Sequence, residues 1–108
     1  MIDAQKNQFY TAFNETIMSE LVSDLMNDLH NLHPVKIKCF LNAKNTKVSM
    51  LTTIFTENDT FTKSIDVSDE MNTAWDYFQT DIFKDYIDND LFLMSEKIAD
   101  TFFLEQER

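Results

Sequence analysis

The chain has 108 residues, 44% of them apolar and ten of them phenylalanine, enough for one domain (residues 1–108) with a real core, yet it contains no glycine. Without glycine, neither a P-loop nor a dinucleotide fingerprint can be written, since both need a backbone that closely approaches a phosphate. A formal net charge of −10 argues against a basic footprint on the protein as a whole, and so against direct nucleic-acid binding.

The aromatic content argues against disorder despite that charge. No apolar run approaches the roughly 20 residues that span a bilayer. Residues 1 to 20 lack the basic start and apolar centre of a signal peptide. The single Cys39 cannot form an internal disulfide, which fits a reducing compartment. A cytoplasmic protein with no membrane contact is the expectation.

Met1 to Ala4 reads as a short frayed lead-in. Residues 5–33 predict one long amphipathic helix. Phe9, Tyr10, Phe13, Ile17, Met18, Leu21, Val22, Leu25, Met26 and Leu29 recur at steps of three and four, with Glu20, Asp24 and Asp28 in a column on the other side. Pro34, the only proline, ends it and biases His33 away from helical angles.

The period then changes to two. Val35, Ile37, Cys39 and Leu41 alternate with Lys36, Lys38 and Phe40, which predicts a half-buried strand. Asn42 to Lys47 predicts a polar turn, with Asn42 and Asn45 able to take left-handed angles. Val48 to Thr56 is a second strand whose faces are Val48, Met50, Thr52, Ile54 and Ser49, Leu51, Thr53, Phe55. After a turn at Glu57 to Asp59, Phe61 to Ile65 is a third. Two short connections imply an antiparallel meander, and the first helix is its natural cover.

Ser68 is an expected N-cap, with Asp69 and Glu70 in the first turn, where negative charge suits the helix dipole. Met71, Ala74, Trp75, Phe78, Ile82 and Tyr86 follow at helical spacing, with a possible break at Thr80 or Asp81. Asp88-Asn89-Asp90 predicts a turn and a new N-cap, and Leu91, Met94, Ile98, Phe102 and Phe103 a last helix to about Glu105. The fold class is therefore α+β: a long N-terminal helix, a three-stranded antiparallel sheet and two C-terminal acidic helices. The expected core includes Phe13, Ile17, Leu21, Leu25, Ile37, Ile54, Trp75, Phe78, Ile98 and Phe102.

Metal and catalytic readings are weak. His30, His33 and Cys39 are three soft ligands where zinc wants about four at tight spacing, and two histidines at a helix C-terminus suit the dipole. Asp85, Asp88 and Asp90 miss the calcium-loop register from either start, and the glycine such a loop needs is absent. Cys39 alternates with apolar residues, as a buried, inert thiol does. No carboxylate pair is marked as lying in an apolar pocket of the kind that raises a catalytic pKa. Neither metal, cofactor nor catalytic residue is expected, and no enzymatic activity.

Charge is the remaining signal. Residues 1–33 sum to −4, residues 34–65 to +3 and residues 66–108 to −9. Glu20, Asp24 and Asp28 line one helix, and Asp81, Asp85 and Asp88 line another, with Asp76 and Asp90 near them in sequence. These eight acids are the candidate partner-binding residues, the alternative being a merely solubilising face. An i, i+4 column carries one charge per about 6 Å, against one per roughly 1.7 Å of duplex axis. One column is too sparse to imitate DNA; two or three side by side come within a factor of two.

In size, charge and helix–three strands–two helices order, the chain is similar to small phage-encoded anti-CRISPR and anti-restriction DNA mimics. That resemblance implies an inhibitor that occupies the nucleic-acid-binding surface of a basic partner, such as a nucleic-acid-binding protein or nuclease. Two further classes fit. One is an immunity protein neutralising a cognate toxin, for which Tyr77, Tyr86 and Trp75 are candidate anchors. The other is a secretion-chaperone-like homodimer.

Overall fold

The computed structural model describes residues 4–44, 47–78, 80 and 83–106, and it is α+β. Ala4–Ala12 (α1), a π turn at Phe13–Ile17 and Met18–Asp28 (α2) form one long helical segment, and His30–Leu32 adds a 3-10 turn. Strands Lys36–Lys44 (β1), Lys47–Phe55 (β2) and Thr60–Asp66 (β3) make an antiparallel meander in the order β1-β2-β3. Helices Ser68–Phe78 (α3) and Phe83–Gln106 (α4) complete the chain. Of the expected lead-in Met1 to Ala4, Ala4 already belongs to α1, and residues 1–3 lie outside the described residues, as do Asn45, Asp81 and Ile82.

The π turn explains one core residue that differs from expectation. The Met18 N–H reaches back five residues to the Phe13 carbonyl, which inserts an extra residue into the turn and moves the apolar stripe on by one. Phe9 and Phe13 face inward before it, and Met18, Leu21, Leu25 and Leu29 after it, so Met18 is buried where Ile17 was expected. Ile17, Trp75 and Phe78 are half-buried against the core, and the other seven expected core residues are buried.

The same turn aims Asn14 at the sheet. Its carboxamide accepts a hydrogen bond from the Leu41 N–H (2.9 Å) and donates to the Leu41 carbonyl (3.4 Å). β1 is an edge strand, and a bidentate amide there satisfies main-chain groups that have no neighbouring strand.

Register follows alternation. Ile37 faces Ile54 and Phe61, and Leu41 faces Met50 and Ile65, all on the helix-covered side. On the other side Phe40 pairs with Leu51, and Lys36 with Phe55. Val35, expected on the inner face, precedes β1 and is 69% exposed. The first turn begins later than expected, because β1 continues through Asn42 to Lys44. Thr56 closes the second turn: its hydroxyl accepts from the Asp59 N–H and donates to the Asp59 carbonyl.

Two boundary assignments are corrected. Ser68 does not cap α3; its hydroxyl accepts from the Val48 N–H at 2.8 Å, tying the helix start to β2. The side chain at the helix start is Asp66, two residues earlier, whose carboxylate accepts from the Ser68 N–H at 2.8 Å and is held below the ordinary carboxylate range by its hydrogen bonds with Ser68. Asp88-Asn89-Asp90 is not a turn either, since α4 runs through it. Asp and Asn cost up to roughly 0.7 kcal/mol each inside a helix, and the continuing inward stripe of Ile87, Leu91, Met94, Ile98 and Phe102 outweighs that. With no glycine to hand, the first helical segment ends on His33 in the left-handed region (φ 54°, ψ 54°), the single positive φ among the described residues.

Asn14→Ala should cost about 1–3 kcal/mol, because it leaves both Leu41 main-chain groups without their partner. Urea unfolding measures this. A loss below about 0.5 kcal/mol, the range of ordinary surface changes, would show that the edge does not depend on Asn14.

Candidate functional site: an acidic groove between two helices

Helices α2 and α4 pack against each other and leave a groove of about 380 Å³ between them, lined by Glu20, Ser23, Asp24, Asp88, Leu91 and Phe92. The column on α2 thus meets an acid from α4. Glu20 is exposed and Asp24 half-buried. The Asp24 carboxyl is pushed above the ordinary range, first by burial and then by the charges of Asp28 and Asp88. Asp28 is half-buried one turn further along, and its Oδ2 is fully enclosed with no hydrogen-bond partner among the described residues. Asp85 is exposed, one turn before Asp88 on α4.

Three candidate residues fall outside this group. Asp76 is exposed on α3 and does not line the groove. Asp81 lies outside the described residues. Asp90 is corrected from a surface acid to a buried one, with only 7% of its surface exposed. It sits one position from Leu91 on the inward stripe of α4 and accepts a hydrogen bond from the Tyr77 hydroxyl. Burial, then the charge of Glu70, raises its pKa. The Glu70 carboxylate itself holds Lys97 of α4 at 2.8 Å, a second polar link between α3 and α4.

The groove also carries Phe92, 52% exposed and not among the expected site residues. Outside its lining, Leu93 and Tyr86 of α4 are 47% and 52% exposed. The signal for Phe92 and Leu93 is the run Leu91-Phe92-Leu93-Met94, since four successive apolar residues cannot all face one side of a helix. Of the three expected anchors, Tyr86 is the exposed one. Tyr77 is committed to Asp90, and Trp75 packs with Phe9 and Phe78.

Elsewhere the thiol of Cys39 faces Thr52, and burial pushes its pKa up to about 11, so it stays protonated at neutral pH. His30 Nδ1 sits 2.8 Å from the Asn27 carbonyl, a local contact at the end of the first helical segment. Among the described residues no three His, Cys, Asp or Glu side chains are placed to hold a metal ion, and no helix is long and apolar enough to cross a membrane. No family model, curated protein or solved structure matches the chain.

Asp90 yields a pH prediction. A carboxyl whose folded pKa is raised contributes stability that is present below its unfolded pKa and lost as pH rises through the folded one. Asp90→Asn keeps an acceptor for Tyr77 and removes the charge, so its stability relative to wild type should increase from about pH 4 to 7. Urea unfolding across that range measures it. A constant difference, or one that shrinks with pH, would contradict the burial of an ionisable Asp90.

Proposed function

We propose that this protein is a non-enzymatic, cytoplasmic acidic inhibitor that occupies the nucleic-acid-binding surface of a basic partner through its acidic helices. The observation that supports it most is the meeting of Glu20 and Asp24 of α2 with Asp88 of α4 in one groove, with Asp28 and Asp85 one turn away on the same two helices. Two columns of about 6 Å spacing side by side give one charge per roughly 3 Å, within a factor of two of duplex DNA. Association between such a face and a basic surface is steered by charge and weakened by salt. Exposed Tyr86 and Phe92 among these acids also favour a second reading, an immunity protein with one cognate toxin, because aromatic anchors dominate compact interfaces.

The test uses wild type and a Glu20→Lys/Asp85→Lys/Asp88→Lys variant as bait, all three positions being exposed. Wild type should capture a basic nucleic-acid-binding protein that the variant does not, and added duplex DNA should compete. Association should slow as salt rises from about 0.05 to 0.5 M and the Debye length falls from near 14 to about 4 Å. A partner captured equally by both baits, or bound equally well with its nucleic acid in place, would overturn the inhibitor reading. DNA-insensitive capture of one toxin, lost in the variant, would select the immunity reading.

A further inference from the structure

The face of the sheet turned away from the helices has the opposite sign. Lys36, Lys38 and Lys44 of β1 and Lys47 of β2 are exposed there, against one acid, Asp66. At its centre Phe40 and Leu51 are directly paired, 56% and 43% exposed, with half-buried Phe55 further along β2 beyond Thr53. Lys38 Nζ lies 5.8 Å from the Phe55 ring centroid, and the Thr53 and Thr62 hydroxyls are 3.2 Å apart. An apolar centre with a charged rim is the anatomy of a protein interface. Paired aliphatic Leu51 offers no stacking surface to a base, and the charge of −10 opposes a long polyanion.

We propose that this sheet face docks onto the acidic α2/α4 face of a second copy of the chain, head to tail. The two faces match in kind: Lys36, Lys38, Lys44 and Lys47 around Phe40 and Leu51 on one, and Glu20, Asp24 and Asp88 around Phe92 on the other, with Asp85 one turn before Asp88. Sheet against sheet is disfavoured, since it gathers eight lysines at one interface. The contact is small. Three strands at about 4.8 Å spacing and nine residues at about 3.4 Å give roughly 400 Å² per side, below the usual 800 Å² of a stable complex, so the association is weak and reversible. It uses the same acidic face as the inhibitor reading and would mask it, but it stands without that reading, and its test needs no partner.

Salt gives this contact a signature. The smallest dimension of the molecule is 22 Å. At about 0.01 M salt the Debye length of roughly 30 Å exceeds it, and two copies feel each other's whole net charge. At about 0.15 M it is near 8 Å, and each face acts on its own. At about 1 M it is near 3 Å, and the attraction between faces is lost.

Sedimentation velocity over a concentration series tests the proposal. Wild type should show a mass that rises with concentration, most at about 0.15 M salt and less at both extremes. Phe40→Ser/Leu51→Ser, which leaves net charge unchanged, should stay monomeric. Glu20→Lys/Asp88→Lys should also stay monomeric, although its lower net charge alone favours association. Mixed, the two variants retain one good sheet face and one good helix face between them, and should form dimers and nothing larger; circular dichroism confirms that both are folded. Wild type monomeric throughout, self-association that survives either variant, or a mixture that stays monomeric would overturn the proposal. So would single-stranded oligonucleotide, titrated as a control, binding wild type and not the Phe40/Leu51 variant.

Discussion

A three-stranded sheet has two faces, and this chain has helices for only one of them. Everything else in the structure follows from how that imbalance is met. The π turn and α2 pack on β1, α3 on β2 and α4 on β3, all over the inner face, while α1 packs through Phe9 on the rings of α3 and α4; Leu21, Leu25, Met50, Ile54 and Ile98 are fully buried. The outer face must then tolerate water, and its side chains are mostly lysine, threonine and serine. The helices in turn expose their outer sides, where the acids lie. Charge is therefore sorted by layer, because solvent-facing positions on strands and helices were filled with opposite signs.

The docking of the long helical segment on the sheet depends on a local irregularity. A regular helix from Ala4 to Asp28 would drift its apolar stripe off the sheet; the π turn at Phe13–Ile17 resets it by one residue and gives Asn14 its reach to Leu41. α3 is fixed at its start by Ser68 on Val48 and along its length by Tyr77 on Asp90 and Glu70 on Lys97. Around Phe9 the rings of Tyr10, Phe13, Trp75, Phe78 and Phe83 join α1 to α3 and α4, with centroids 4.5 to 6.4 Å apart.

Much of this was legible in the residues. The change of period from 3.6 to 2 after Pro34 located the strands, and alternation assigned both faces of β2 correctly. What was not legible depends on tertiary context. Asp88-Asn89-Asp90 has the composition of a turn, and only the partners of the flanking apolar residues keep it helical. Asp90 looks like its exposed neighbours until Tyr77 is seen opposite it. A π turn has no composition of its own, so the exchange of Ile17 for Met18 was hidden. The acids of α2 and α4 carry no sequence sign that they meet, since that is set by the angle at which two helices separated by a whole sheet come back together.

The meeting of those columns is the central claim, and the Asp24 carboxyl reports on it directly. Carbon-13 NMR titration of the side-chain carboxyls, in wild type and in Asp88→Asn, measures it. Asp24 should titrate above the ordinary carboxylate range in wild type, and its midpoint should fall when the charge on Asp88 is removed. An Asp24 that titrates in the ordinary range, or whose midpoint is unmoved by Asp88→Asn, would mean that the two helices do not share one acidic face.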